Sequence, residues 1–445
     1  MKVKLILLLF VLFIGGSYSQ NGFRIENNKK KVVIPFKFID NLIIIPIEVN
    51  GTVLNFLLDT GVEETILFSL EENEQIVFSN VDKVMFRGIG TNDPFEGLKS
   101  SKNKLSINGF NDLDHTIYIV LDQNINISSK VGIPVNGIIG YHFFKNHSID
   151  INYNKRKIVV YNDITSISKK LNKKYQKVPV TIEDNKPYIK TLVQMENVPE
   201  SFEAKLLIDI GNSDALWLFN EKDKRIKVSE KNFDDYLGLG FSGTVYGKRG
   251  RIKKLQIDTF IFENPIVAMP DSIATKDMTM VENRVGSIGS EIMKRFSIVY
   301  DYSNAMIYLK KNDNFKLQFN YNMSGLEIQH QGLEWVKQSY EQNASSSSHY
   351  FDTSGTDSNW TKNLKYKFEL KPSYCVLSVR KDSPADLAGI KNGDEIKTIN
   401  GRDCHNFTLE EINAILKSEN DRLIIIEALR NNKPLKFKFK LKNMI

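Results

Sequence analysis

Leu57-Leu58-Asp59-Thr60-Gly61 and Leu207-Ile208-Asp209-Ile210-Gly211 are one phrase written twice, 150 residues apart. Self-similarity at a fixed spacing sets the architecture before any local reading does. At the same spacing Gly88-Ile89-Gly90 falls on Gly238-Leu239-Gly240, and Gly97 on Gly247. Lys104-Leu105 then falls on Lys254-Leu255, Ile107 on Ile257 and Phe110 on Phe260. At a spacing of 149, Gly137-Ile138-Ile139-Gly140 falls on Gly286-Ser287-Ile288-Gly289, Ser148-Ile149 on Ser297-Ile298, and Tyr153 on Tyr302. Chance supplies single matches but does not hold register from residue 57 to residue 153.

Each copy reads as β structure. The stretches 41–50, 53–58, 116–121 and 157–161 are short, rich in Ile, Val, Leu and aromatics, and bounded by Asn, Gly or Asp. In the second copy 188–193, 204–208, 265–268 and 306–309 have the same character, and helical periodicity is scarce before residue 320. The expected fold class is mainly β: two similar lobes, 20–165 and 166–318, related by a pseudo-twofold axis.

An Asp-Thr-Gly after an apolar strand has a physical meaning. The strand carries the carboxylate into a buried place, the hydroxyl braces the loop and glycine lets the backbone turn tightly. Two such loops meeting at a twofold axis place Asp59 and Asp209 in one site. Like charges that close do not both ionise easily, so the pair holds one proton over a wide pH range. The ionised member can activate water while the protonated one hydrogen-bonds a scissile carbonyl. The glycine-rich stretches 87–97 and 237–247 read as hairpins able to close over a bound chain, with ordinary turns as the plainer alternative.

These motifs resemble the aspartic peptidases of the retropepsin and pepsin type over residues 30–312. Asp59-Thr60-Gly61-Val62-Glu63-Glu64-Thr65-Ile66-Leu67 is similar to the retroviral active-site segment. Gly137-Ile138-Ile139-Gly140 is similar to the family's later apolar-apolar-Gly element. The resemblance implies a bilobal double β-barrel with Asp59 and Asp209 as catalytic residues. It also implies active-site loops at Thr60, Gly61, Ile210 and Gly211, and no cofactor. The implied partner is an extended polypeptide substrate under flaps at Gly88, Ile89, Gly90, Gly238, Leu239 and Gly240. Ile210 departs from the family, which has Thr or Ser there. The hydroxyl that would brace the loops from the second side is missing, and a buried N–H left unpaired would cost about 1–3 kcal/mol.

From residue 319 the character changes again. The stretch 342–363 is polar and reads as an insertion. Val376-Leu377-Ser378-Val379 then reads as a strand, and Ser383-Pro384 as the start of a short helix stopped at Gly389. Thr408 with Glu411 makes a capping-box pattern, and Leu409, Ile412 and Leu416 share one helical face. The order Ser-Pro-Ala, Ala-Gly-Ile, Gly-Asp, Ile-Asn-Gly resembles PDZ domains of bacterial exported proteins over 366–443, with 325–336 as a first strand. This α+β module implies a groove that takes a peptide end by strand addition along the 408–418 helix. The Gly-rich carboxylate loop is not legible, since Phe368-Glu369-Leu370-Lys371-Pro372 stands near its place. Packing of the module onto the lobes is therefore the alternative reading.

The remaining features bound the function class. Lys2 and Lys4, the apolar run from Leu5 to Ile14 and Ser17-Tyr18-Ser19 have the form of a secretory signal peptide over residues 1–19. Ten apolar residues are too few for a span, which needs about 20. The expectation is export to a periplasmic or extracellular space, with no membrane span after cleavage. Loss of the two leader lysines takes the formal charge from +7 to +5. That excess is scattered, which speaks against a nucleic-acid partner. The two cysteines, Cys375 and Cys404, exclude a disulfide scaffold and read as buried thiols or one bridge. No Cys and His spacing suits a metal. One chain supplies both aspartates, so the pair is expected within a monomer. Gly211-Asn212-Ser213 lacks the following glycines of a serine-protease oxyanion loop. A binding protein that keeps the peptidase fold without activity is the reading from a different class.

Overall fold

The computed structural model describes residues 22–26, 29–70, 76–86, 95–120, 127–196, 198–240, 243–276, 280–341 and 364–445. The expected leader 1–19, the tip Gly88-Ile89-Gly90 and the polar stretch 342–363 lie outside them.

Strand alternation splits the apolar side chains of the first lobe between two cores. Along Leu42–Val49, Ile43, Ile45, Ile47 and Val49 join the main core, while Leu42 and Ile44 face a smaller cluster. Thr52–Leu58 does the same, with Leu54, Phe56 and Leu58 on the first side and Leu57 on the second. A strand buried on both faces reads as a nearly continuous apolar run, as this one does. It ends at Asp59.

The same three-strand arrangement holds each aspartate. Gly137–Ile139 lies between Thr52–Leu58, to which it is parallel, and Thr65–Leu67, to which it is antiparallel. In the second lobe Arg284–Ile288 lies between Phe202–Ile208, again parallel, and Leu216–Leu218, again antiparallel. The apolar-apolar-Gly elements found by the repeat are thus the strands threaded behind the aspartate loops.

A six-stranded sheet joins the lobes, in the order Gln176–Pro179, Met306–Lys311, Phe296–Asp301, Ser148–Asn152, Lys157–Tyr161 and Lys31–Pro35. Its central pair is antiparallel and crosses from one lobe to the other. The repeat spacing of 149 carries Asp150 onto Val299, and those residues are Cα partners. The pseudo-twofold axis therefore passes through this pair. Ile149, Ile151, Ile298 and Tyr300 around it are fully buried.

The C-terminal module forms its own sheet from Leu326–Glu341, Leu364–Val379, Glu395–Ile399, Leu423–Arg430 and Lys433–Lys440. Helix Pro384–Leu387 starts at Ser383, whose hydroxyl accepts from the Asp386 N–H. Helix Leu409–Leu416 carries the full Thr408/Glu411 capping box and buries Leu409, Ile412 and Leu416. The stretch 368–372, where no Gly-rich carboxylate loop was legible, is strand, paired with 333–337. Cys375 and Cys404 are buried free thiols.

The module docks on both lobes. Arg380 stands 3.9 Å over the Phe233 ring and 3.5 Å from the Asp235 carboxylate of the second lobe. Lys417 pairs with Asp40 of the first lobe at 3.2 Å. The first-lobe helix Ile127–Val131 packs against Leu326–Glu341, and Gly132 lies against Leu409.

Truncating the central strand tests the joining sheet. Ile298→Ala should cost about 2–5 kcal/mol in urea unfolding, the range for a fully buried Ile. A loss below about 1 kcal/mol would contradict the placement of this strand.

Candidate active site

The two aspartates meet across the axis, each over the other's glycine. A Cβ on Gly211 would sit 2.2 Å from the Asp59 Cγ, and one on Gly61 would sit 2.9 Å from the Asp209 Cγ. Any side chain at either glycine would therefore push the opposite carboxylate away. The carboxyl groups are within hydrogen-bonding reach of each other. Asp59 Oδ1 also accepts the Gly61 N–H at 2.6 Å.

The loops are held from behind in matching ways. The Asp59 N–H donates to Ile139 O at 3.0 Å, and the Asp209 N–H to Ile288 O at 2.9 Å. Tyr141 N donates to Val62 O, and Ser290 N to Asn212 O. These bonds set two backbones, and hence two carboxylates, in mirrored positions.

They are also held across the axis. Thr60 Oγ1 donates to Ile208 O at 2.6 Å and accepts the Ile210 N–H at 3.1 Å. The N–H that the sequence left in doubt thus has its partner, supplied by Thr60. Ile210 returns no such bond, and its side chain is fully buried in the main core. Ser290 Oγ takes up the Ile210 carbonyl at 2.9 Å. The brace is one-sided: one hydroxyl does what two would share.

Sequence reading missed a second cross-lobe brace. Asp40-Asn41 and Asp184-Asn185 form turns with all four residues at positive φ, the region that Asn and Asp tolerate best among residues with side chains. Asn41 Nδ2 donates to Ser213 O at 2.9 Å, and Asn185 Nδ2 to Glu63 Oε1 at 2.6 Å. Each turn thus reaches the loop that follows the other lobe's aspartate. The repeated Asp-Asn dipeptide was the available signal.

Burial dominates the electrostatics. Asp59 is 8% exposed, and desolvation followed by the Asp209 charge pushes its carboxyl well above the usual range. Asp209 is partly exposed, and burial raises it too, opposed first by the positive charge of Arg284. Tyr302 lies near enough to Asp59 for that charge to add to the burial that raises its phenol. The pair accordingly titrates as a unit that holds one proton well above the ordinary carboxylate pKa.

Arg284 was not singled out by sequence. Its side chain is buried, donating to Gly286 O at 3.2 Å and Ser287 Oγ at 2.9 Å, and hydrogen-bonding Tyr188. Thr65, His115 and Asp112 form another buried chain, with 2.7 Å at both links. Thr65 is fully buried there, so this chain braces the strand after Asp59 and presents no reactive group.

Of the flap residues, Gly238, Leu239 and Gly240 belong to Asn232–Gly240, which pairs with Gly243–Arg251 as a hairpin. Among the described residues no group of three or more His, Cys, Asp or Glu side chains is gathered for a metal. No described helix is long and apolar enough to cross a membrane.

Residues 376–430 match the family model for a PDZ domain. Among solved structures, the aspartic proteinase from Irpex lacteus is similar, with 12% identity and a TM-score of 0.41, over 65% of this chain and all of the other. No curated protein sequence matches the chain. The threaded three-strand units, the joining sheet and the C-terminal module make the molecule a mainly β fold of two similar lobes followed by a PDZ domain.

Two outcomes follow from this geometry. Thr60→Val keeps shape but leaves the Ile210 N–H and Ile208 carbonyl without their partner, so stability should fall by about 1–3 kcal/mol. Calorimetry showing no loss would mean that the one-sided brace is not formed. The second outcome concerns pH. Asp59 has a raised folded pKa, so the native state keeps a proton that the unfolded chain has already released. Its contribution to stability therefore falls as pH rises above the unfolded value near 3.9. Asp59→Asn should melt close to wild type at pH 3 and several degrees higher at pH 7. A gap that narrows toward pH 7 would reverse that sign.

Proposed function

We propose that the chain is an exported aspartic-type endopeptidase in which Asp59 and Asp209 hydrolyse peptide bonds through an activated water. One observation carries this reading: each carboxylate lies in space that only the other loop's glycine leaves open. Burying two like charges together costs free energy and serves no packing need. A site where one proton is shared between two acids is a natural place for paired acid and base work.

The chemistry balances without a covalent intermediate. The ionised carboxylate takes a proton from water as its oxygen attacks the scissile carbonyl carbon. The protonated carboxyl gives its proton to the carbonyl oxygen, forming a gem-diol. In collapse, the newly protonated acid donates to the departing amine nitrogen, and its partner takes a proton from the diol. The C–N bond breaks and the pair again holds one proton. An extended substrate would lie between the lobes under the hairpin that carries Gly238–Gly240, held by main-chain bonds. The leader-like residues 1–19 support export to a periplasmic or extracellular space.

Packing against the lobes is the role we assign to the PDZ domain. Helix Ile127–Val131 and Gly132 lie against Leu326–Glu341 and Leu409, the strand and helix that would wall a peptide groove.

Ile210 favours a second reading, a peptide-binding protein that has lost activity, because its loop gives no hydroxyl to the brace. Assay of the mature chain against a peptide library between pH 3 and 7 separates the two. Cleavage that falls by at least a thousandfold in both Asp59→Asn and Asp209→Asn is expected. Binding without cleavage would favour the second reading, and loss in only one variant would overturn the shared pair.

A further inference from the structure

We propose that Arg284 is a positioning residue that assigns the pair's single proton to Asp59 and keeps Asp209 as the carboxylate that activates water. The inference rests on the peptidase reading for its catalytic meaning, but not for the proton assignment itself.

Three structural observations carry it. First, the lobes are unequal at this point. The repeat spacing of 149 places Arg284 on Val135, so the second lobe has a cation where the first has an aliphatic side chain. Second, the backbone is adjusted there. Arg284 pairs with Lys205 but Gly286 pairs with Leu206, so Val285 is an extra residue in a bulge. Bulges re-aim side chains and occur often beside active sites.

Third, the guanidinium is buried and, among the described residues, no carboxylate is bonded to it. Its polar contacts are Gly286 O, Ser287 Oγ and Tyr188, and it lies 5.5 Å from the centre of the Phe219 ring. Lys205, its Cα partner on the neighbouring strand, turns its own ammonium to Glu183 and to Glu282 O. Ser287, whose hydroxyl the guanidinium bonds, is the Cα partner of Leu207, two residues before Asp209. The guanidinium is therefore held toward the Asp209 end of the strand, and its charge acts on that carboxyl. A buried cation without a bonded counter-ion is costly, and the nearby anion that offsets it is the partly exposed aspartate. On the other side, Asp59 is the deeper carboxyl and faces the Tyr302 phenol, which adds no positive charge.

Burial and charge therefore act together. Desolvation holds the proton on Asp59, and Arg284 opposes it on Asp209. Under this assignment Asp209 takes the proton from water while Asp59 donates to the carbonyl oxygen. The proton returns to Asp59 in the collapse step.

The test uses the mature full chain and needs no activity for its main readout. Carboxyl carbons of labelled aspartate are followed by NMR during pH titration in Asp59→Asn and in Asp209→Asn. Each variant leaves one carboxyl of the pair alone. The lone Asp209 is expected to titrate at least about one pH unit below the lone Asp59, the size of shift that a nearby opposite charge produces. Adding Arg284→Met should narrow that gap by raising the lone Asp209 toward the lone Asp59, and Arg284→Lys should restore most of the difference. Equal values in the two single variants overturn the proposal even if Arg284→Met fails to fold. So does a gap that stays unchanged in a folded Arg284→Met protein. In the otherwise wild-type enzyme Arg284→Met should move the acid limb of kcat/KM upward by about one unit, with Arg284→Lys in between. Absence of any cleavage alongside the expected NMR gap would sink the peptidase reading and leave the proton assignment standing.

Discussion

Two carboxylates forced together at a twofold axis are the constraint on which the rest of this molecule depends. Each needs the glycine of the opposite loop, so neither lobe can build the site alone. The repulsion and desolvation of the pair act continually to separate the lobes. What opposes them is a set of cross-lobe contacts: the joining sheet through Asp150 and Val299, the Thr60 brace, and the Asn41 and Asn185 turns. The site is a buried, costly pair inside a frame braced across the axis, which holds the two carboxyls in a fixed geometry.

The frame is twofold, but its chemistry is not. The first lobe supplies the bracing hydroxyl from Thr60, and the second places the fully buried Ile210 in the equivalent position. The second lobe supplies a buried cation from Arg284, where the first has Val135. Two identical carboxyls at a perfect axis would share their proton equally. Unequal surroundings set the two carboxyls apart, a condition that would suit separate acid and base roles. Loss of one hydroxyl is compatible with this division. Thr60 alone spans to both the Ile208 carbonyl and the Ile210 N–H.

The repeat made most of the fold legible because it is a statement about topology, independent of local propensity. Leu57 to Gly61 and Leu207 to Gly211 located both aspartates, and Gly137 to Gly140 located the strand threaded behind the first. Lys157–Tyr161 has the bounds its composition predicted, and the capping box at Thr408 formed as read. What was illegible depends on side-chain direction across long sequence distances. Asn41 is an ordinary turn residue until folding brings it to Ser213, 172 positions away. Arg284 reads as a strand-edge charge until a one-residue bulge turns it inward. At 368–372 no Gly-rich carboxylate loop was legible in the sequence, and the strand simply continues there.

Continuity of contact makes the C-terminal domain part of the same frame. Asp214, in the loop after Asp209, pairs with Arg249 at 2.7 Å. Arg249 pairs in turn with Asp235 on the second-lobe hairpin, and Asp235 faces Arg380 of the PDZ domain. On the first-lobe side, Val131 and Ile127 share an apolar cluster with Leu57 and Val62, which flank Asp59. The helix that carries them is the one resting on the PDZ strand Leu326–Glu341. Both aspartate loops therefore have a line of touching residues to this domain, one polar and one apolar. A peptide entering the groove would have to displace the Ile127–Val131 helix from one of those lines. The domain that resembles a recognition module thus also packs against both lobes that carry the aspartates.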